Sequence, residues 1–387
     1  MKTALILLFC LFSCTVGFAQ ISALNQGCTT APNYYTELPY TSINGKLLVD
    51  VELYGKKHKF LFDTGAPVQL SNELTAELKL TAVNKINVGD VNGATDSTRV
   101  MRLEIKLGNV IFADVPAINV FPEVYKCWGV DGVIGSNLLR NSIVRIDADR
   151  HVIVLTDHAD KLSLNPGHSL PLSTPDAQST PVIQISLNKK LNLTLPFDTG
   201  DNGFLRFSED LMTRLDKKGL FKTLAKGYGA NQIGALGLQS NAEKYLLKIP
   251  FLMIGSTRFN NVITQTSKGG IPGVGTKLLD YGSVTLDFIH SKFYFDAKDE
   301  TTDLNEKQWP FQPSLSGNKL VVGVVWDKGV NVVKPGQQII AIDDKDFSVV
   351  NICDMVNSKP LLSGRESAII TLRDADGKEK KVPISRE

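Results

Sequence analysis

Hydrophobic and polar residues alternate along two stretches of the chain, and both stretches lead into the same three residues. Residues 49–62 alternate and end in a second apolar run before Asp63. Residues 182–197 repeat this order before Asp198. Alternation with a period of two is typical of a β-strand with one buried face. Both stretches are therefore predicted to be strands that enter a turn from the protein interior.

The repetition continues past both turns. Residues 71–78 and 208–215 show short helical patterns, and each opens with a serine that suits the N-cap position. Farther along, residues 132–139 match residues 272–279, and each block is followed by an apolar strand that ends in aspartate. A repeat period of about 135 residues is too long for a solenoid and indicates two duplicated domains.

The tripeptide at the two turns is the same, Asp63-Thr64-Gly65 and Asp198-Thr199-Gly200. Average composition predicts one copy by chance in roughly one chain in ten of this length, so a single copy would mean little. Two ordinary turns that begin with aspartate would not share their flanking strands and helices. The duplicated surroundings therefore indicate a shared function for the two acids.

Two Asp-Thr-Gly turns, each with a downstream block at Val133-Ile134-Gly135 or Gly273-Val274-Gly275, resemble the pepsin and retropepsin superfamily of aspartic peptidases. The resemblance covers roughly residues 38–300. It implies a mainly-β, bilobal fold of acid-protease β-barrels related by a pseudo-twofold axis. Gly273 departs from the family pattern, in which an apolar residue is usual.

The resemblance implies that Asp63 and Asp198 are the catalytic residues. Two carboxyl groups about 3 Å apart cannot both ionise readily, so they share one proton. The ionised acid can deprotonate a water while the protonated acid hydrogen-bonds the scissile carbonyl. This chemistry needs no metal, no cofactor and no covalent intermediate.

The other predicted site residues support the two turns: Thr64, Gly65, Ala66 and Gly135 in the first copy, and Thr199, Gly200, Asp201 and Gly275 in the second. By resemblance, the two threonine hydroxyls brace the turns against each other. Ala66 and Asp201 replace a usual serine or threonine, and both changes remove a hydroxyl donor. A missing donor, and a third carboxylate at Asp201, would raise the pKa of the catalytic acids. The sequence therefore predicts a less acidic optimum than pepsin's, unless Asp201 points into solvent.

The C-terminal region is similar to a PDZ domain in its predicted order of elements, with residues 335–344 standing where a Gly-Asp-x-Ile-x-x-Ile-Asn-Gly stretch is usual. Val322, Gly323 and Val324 resemble part of the carboxylate-binding loop of that family. A peptide ligand at this domain is therefore predicted. A small β-rich cap packed on the peptidase is the alternative.

The first residues have the features of an export signal, with Lys2, an apolar run at 4–12 and a cleavage site at 17–19. Export to the periplasm or the medium is expected, and lipid attachment at Cys14 is less favoured because Phe12 and Ser13 precede it. No later segment is apolar enough to span a membrane. The predicted divisions are a leader (1–19), an N-terminal extension (20–37), two lobes (38–165 and 182–300) joined by a linker (166–181), a second linker (301–318) and the PDZ-like domain (319–387).

Three cysteines follow the leader, Cys28, Cys127 and Cys353. The sequence leaves two alternatives: a disulfide between Cys28 and Cys127, or free buried thiols. In each lobe a hairpin is expected to close over the substrate, with tips near 89–94 and 227–237, although ordinary surface hairpins would show the same pattern.

The chain carries 42 basic and 40 acidic residues, and no basic patch is interleaved with aromatics, so nucleic acid is not an expected partner. Because one chain holds both acids, a monomer is sufficient for activity. The expected partner is a peptide or protein substrate of an aspartic endopeptidase. An inactive peptide-binding protein on the same scaffold is the alternative.

Overall fold

The computed structural model describes residues 23–90, 92–231, 233–234 and 236–387. The predicted leader at 1–19, including Cys14, lies outside the described residues. Most secondary structure in the described part is β-strand, which confirms the mainly-β class. Within this part, no helix is both long and apolar enough to cross a membrane.

The first half, residues 28–156, is built from short and medium strands with two brief helices. Its strands are β1 (Cys28–Thr29), β2 (Tyr35–Ile43), β3 (Lys46–Leu53), β4 (Lys56–Asp63), β5 (Gln69–Leu70), β6 (Asn84–Gly89), β7 (Thr95–Leu107), β8 (Val110–Ile118), β9 (Gly132–Gly135), β10 (Ile143–Asp147) and β11 (Val152–Thr156). Its α-helices are α1 (Asn72–Glu77) and α2 (Ser136–Leu139), and a 3-10 helix covers Glu123–Trp128.

The second half, residues 169–303, follows a similar order. Its strands are β12 (Ser169–Ser173), β13 (Val182–Leu187), β14 (Leu191–Asp198), β15 (Leu205–Ser208), β16 (Lys222–Gly229), β17 (Ile233–Gly234), β18 (Gly237–Leu238), β19 (Ala242–Ile254), β20 (Thr257–Ser267), β21 (Gly273–Gly275), β22 (Gly282–Asp287), β23 (Lys292–Ala297) and β24 (Thr301–Asp303). Helix α3 covers Glu209–Leu215, and a 3-10 helix covers Thr276–Tyr281.

The two halves use the same strand pairings. In the first half β4 pairs antiparallel with β3 and parallel with β9, and β9 pairs antiparallel with β5. In the second half β14, β13, β21 and β15 repeat these relations in the same order. Strands β10 and β22 then pair antiparallel across the halves, and one hydrophobic core contains residues of both. The internal repeat therefore corresponds to two equivalent arrangements that share a sheet and a core.

The two helices predicted from sequence begin at the serines that were expected to cap them. Ser71 Oγ accepts the N–H of Leu74 at 3.1 Å, and Ser208 Oγ accepts the N–H of Leu211 at 3.1 Å. Each bond satisfies one of the donors that the first turn of a helix leaves unpaired. Helices α1 and α3 thus begin directly after β5 and β15.

The C-terminal module, residues 311–385, has its own hydrophobic core. Its elements are β25 (Phe311–Ser316), β26 (Lys319–Trp326), β27 (Gln338–Ile342), β28 (Lys345–Asp346), α4 (Ile352–Asn357), β29 (Ser367–Arg373) and β30 (Glu379–Ser385). Strand β25 lies within the predicted linker 301–318, yet Phe311 is 1% exposed. The chain therefore enters the module earlier than the linker prediction allows.

The disulfide differs from both alternatives that the sequence leaves open. Cys127 bonds Cys353, 226 residues away, and Cys28 is a free, exposed thiol. Cys28 lies on β1 beside β8, whereas Cys127 lies on the 3-10 helix against which α4 packs. The bond thus joins the first half to the C-terminal module.

Candidate active site

Asp63 and Asp198 end equivalent strands and meet. Asp63 closes β4 opposite Gly135 of β9, and Asp198 closes β14 opposite Gly275 of β21. The two carboxyl groups lie close enough that Asp198 raises the pKa of Asp63 through its charge and through hydrogen bonding, and each residue is 6% exposed. Acids 135 positions apart in the sequence are therefore in direct contact in a nearly buried site.

Glycine at the third position of each turn makes this contact possible. The Gly65 N–H donates to Asp63 Oδ1 at 2.8 Å, and the Gly200 N–H donates to Asp198 Oδ1 at 2.9 Å. A Cβ on Gly65 would collide with the carboxyl group of Asp198, and one on Gly200 with that of Asp63. Each turn thus holds its own acid and leaves room for the other.

The two threonines link the turns through four hydrogen bonds. Thr64 Oγ1 accepts the Thr199 N–H at 3.0 Å and donates to the carbonyl of Phe197 at 2.6 Å. Thr199 Oγ1 accepts the Thr64 N–H and donates to the carbonyl of Phe62, both at 2.9 Å. Both threonines are fully buried, so these bonds fix the relative position of the acids.

Replacing Thr64 by valine is expected to destabilise the fold by about 2–5 kcal/mol, because two buried backbone groups lose their partners. Thr213→Val is the matched control, since its hydroxyl bonds Glu209 within α3 on an exposed surface. Chemical denaturation of both variants measures the difference. If Thr64→Val and Thr213→Val lose equal stability, the hydrogen bonds between the two turns contribute no more than an exposed hydroxyl does.

The glycines of the crossing strands pack directly against the turns. A Cβ on Gly135 would meet the backbone of Ala66 and Pro67, and one on Gly275 would meet the backbone carbonyls of Asp201 and Gly203. Both positions therefore need glycine for packing. Ala66 contributes a backbone carbonyl that accepts the N–H of Ser136 at 3.0 Å.

Asp201 does not point into solvent, because Arg206 holds it. The guanidinium of Arg206 bonds Asp201 Oδ2, and its Nη2 lies 3.3 Å from Asp198 Oδ2. Its Nε also donates to the carbonyl of Ile271 at 2.6 Å. The Arg206 side chain is 12% exposed. Asp201 is thus not an unpaired third carboxylate, which corrects one of the reasons for expecting a raised catalytic pKa.

Arg206 has no counterpart in the first half. Gln69 pairs with Val133 there, whereas Arg206 pairs with Gly273 at the equivalent position. A Cβ on Gly273 would lie 3.2 Å from Arg206 Nη2, so the glycine leaves space for the guanidinium. The departures at 201 and 273 therefore belong to one arrangement around Arg206. Comparing the two repeats shows the departures at 201 and 273, but their link to Arg206 appears only in the fold.

Burial raises the pKa of Asp63 to about 7, and the negative charge of Asp198 adds to the rise. Lys46, whose Nζ bonds the carbonyl of Gly200, acts in the opposite direction, as does the N–H of Gly65. Asp63 is therefore the acid that keeps its proton into the neutral range. Lys46 was not among the residues predicted from sequence.

A cavity of about 1560 Å³ contains both acids. The predicted hairpin tips line it and touch each other: Asp90 Oδ2 accepts the N–H of Leu236 at 3.1 Å, and Asn92 Nδ2 donates to the carbonyl of Gly237 at 3.3 Å. The two hairpins thus meet at this cavity rather than standing apart on the surface. No group of three or more His, Cys, Asp or Glu side chains in the described residues is arranged to hold a metal ion.

Residues 322–324 lie elsewhere than the sequence suggests. Val322 and Val324 are buried inside β26, which pairs with β25 on one edge. On the other edge Val324 pairs with Gly229 of β16, and the backbone of Val322 bonds Gln337 and Gly336. An incoming peptide finds no free edge at these residues, so the predicted peptide-binding role of Val322, Gly323 and Val324 is wrong.

Comparison with known proteins adds one family match. Residues 49–138 match the family described as aspartyl protease. This segment contains Asp63 and Gly135, covers less than half of the chain and does not reach Asp198. Together with the mainly-β fold, it supports an aspartic protease in general terms.

No curated protein matches the chain. Among solved structures it is similar to basic 7S globulin from soybean, at 11% identity and a TM-score of 0.40, over 70% of this chain and 96% of that chain. A similarity of this size assigns neither a fold nor a function to this chain.

Proposed function

We propose that the protein is an exported aspartic endopeptidase that hydrolyses peptide bonds with a water activated by Asp63 and Asp198. The observation that carries the proposal is the close approach of two buried carboxyl groups from equivalent turns. Such a pair shares one proton, so it offers a base and an acid at the same place. Since both acids belong to one chain, a monomer is sufficient.

The surroundings assign the two roles. Arg206 faces Asp198, so the negative charge of the pair is best placed there, and Asp63 carries the proton. Asp198 takes a proton from the water while the water oxygen bonds to the scissile carbonyl carbon. At the same time Asp63 protonates the carbonyl oxygen. Asp198 then passes its proton to the leaving nitrogen as the C–N bond breaks, and Asp63 regains a proton from the hydroxyl. Atoms and charge balance without any further reactant.

The cavity suits a polypeptide better than a small molecule. Its volume of about 1560 Å³ exceeds the roughly 300–1,000 Å³ of typical small-ligand pockets. Both halves and both hairpin tips contribute to its lining. A peptide or an unfolded protein segment is therefore the proposed substrate, and the PDZ-like identity of the C-terminal module stays a prediction.

Incubation with a reduced and alkylated protein tests the proposal. Cleavage is expected below neutral pH and should decline as pH rises through about 7, where Asp63 loses its proton. A statine-type inhibitor, whose hydroxyl replaces the attacked carbonyl, should block cleavage competitively because it occupies the place between the two acids. Binding without cleavage at every pH from 3 to 8 would favour an inactive peptide-binding protein.

A further inference from the structure

The C-terminal module is attached to both halves of the protein. On the first half, the disulfide Cys127–Cys353 joins it, and Asn44 Nδ2 donates to the carbonyls of Val356 at 2.7 Å and Ser358 at 2.6 Å. On the second half, β26 pairs antiparallel with β16. A module held from both sides has a fixed position relative to the two acids.

This position brings the module into the catalytic cavity. Pro313 of β25, Met355 of α4 and Pro360 line the same cavity as Asp63 and Asp198. A second cavity of about 340 Å³ within the module shares Met355 and Pro360 with the first. Met355 and Pro360 therefore belong to the walls of both cavities, so the catalytic cavity reaches the module at α4.

Two aromatic residues of the first half lie on the 3-10 helix that packs against α4. Tyr125 and Trp128 line the cavity, and their ring centroids are 5.1 Å apart. The indole N–H of Trp128 is buried and has no hydrogen-bond partner among the described residues. A buried donor without a partner is costly, and a peptide carbonyl is a suitable acceptor. The lining thus combines these two rings with polar residues, among them Asn44 and Lys46, and Trp128 adds a donor without a partner.

We infer that the C-terminal module completes the substrate cleft and binds the part of an extended polypeptide that lies beyond the catalytic acids. Met355 and Pro360 supply apolar contacts, and Trp128 donates to the peptide backbone on the way. The inference rests on the proposed function and adds a preference for long substrates. It differs from capture of a separate peptide ligand, because the bound chain is the substrate itself.

The test compares a long and a short substrate. A reduced and alkylated fluorescent protein is the long one, and a peptide of about six residues, roughly 20 Å when extended, is the short one. Met355→Ser and Pro360→Ser are each expected to lower kcat/KM for the long substrate about tenfold, through loss of apolar contact, and to leave the short one unchanged. Ile352→Ser is the matched control, since Ile352 lies on α4, is exposed and lines neither cavity.

Binding to the Asp63→Asn protein, measured by fluorescence anisotropy, separates this inference from the proposed function. The long probe should bind more tightly than the short probe, and Met355→Ser and Pro360→Ser should each weaken binding of the long probe. This result supports the inference even if the parent protein cleaves nothing. Equal effects on both probes, or the same loss from Ile352→Ser, would overturn it. Pro360 is exposed, so its variant keeps the test valid if Met355→Ser fails to fold.

Discussion

Asparagine in place of Asp63 or Asp198 is expected to lower kcat/KM for an unfolded protein by about 10²–10⁴-fold, the usual contribution of a positioned acid or base. Each substitution preserves the size of the side chain but removes either the proton donor or the proton acceptor. The measurement is cleavage of a reduced and alkylated protein at mildly acidic pH. Since both acids act on one water, the double variant should be little worse than either single variant.

Asp176→Asn is the matched control for these variants. Asp176 lines the same cavity and accepts backbone N–H groups of Gln178 and Thr180, which an asparagine oxygen can also accept. It should keep the parent activity. Full activity in Asp63→Asn or Asp198→Asn would show that the contact between the acids has no part in catalysis.

The Asp63 variant should also be more stable than the parent at neutral pH. Because the folded protein raises the pKa of Asp63 to about 7, from an ordinary value of about 4, the folded state binds this proton more tightly than the unfolded state. The stability that this proton contributes is present below about pH 4 and is lost as pH rises towards 7. Thermal unfolding should therefore show a stabilising effect of Asp63→Asn that grows over this range.

Replacing Arg206 by glutamine is expected to move the whole pH profile of kcat/KM to higher pH. The guanidinium favours the singly charged state of the acid pair, so its removal makes the pair bind protons more tightly. Arg206 Nη2 lies 3.3 Å from Asp198 Oδ2, a distance at which a positive charge favours the ionised carboxyl group. In mildly acidic solution the variant should thus lose about tenfold or more of its activity, and near neutral pH it should lose much less.

Arg206→Gln leaves Asp201 without its partner, so the double variant Arg206→Gln with Asp201→Asn separates a shifted profile from a damaged fold. Both variants should show the shift, and the double variant should unfold at the higher temperature. Arg214→Gln in α3 is the control for a distant charge, because Arg214 is exposed. If kcat/KM falls by the same factor at every pH, so that the pH profile does not move, the role given to Arg206 is contradicted.

The parts predictable from sequence are those that local chemistry determines. Alternating apolar positions predict the strands before Asp63 and Asp198, and Ser71 and Ser208 mark the helix starts because an N-cap acts within one turn. The contact between the two acids was expected from the resemblance to aspartic peptidases, since a repeat alone does not bring two equivalent turns together. The glycine at position 65 is explained by the structure, because a Cβ there would collide with the carboxyl group of Asp198.

The parts that sequence did not predict depend on contacts between distant segments. The bond from Cys127 to Cys353 requires that α4 pack on the first half. The spacing of cysteines in the sequence does not predict such packing between distant segments. Likewise, residues 322–324 resemble a binding loop, but β16 occupies the strand edge at Val324. Arg206 was missed because a single arginine carries no motif, and its meaning appears only beside Asp201 and Gly273.

The most direct test of the acid pair is a carbon-13 NMR titration of the aspartate side-chain carboxyl groups. The account predicts one carboxyl resonance with a midpoint near pH 7, as for Asp63, that is absent from the Asp63→Asn protein. Its position should also change in Arg206→Gln, because the guanidinium acts on the shared proton. If every aspartate of the parent protein titrates near its ordinary value of about 4, the two acids do not share a proton and the account is wrong.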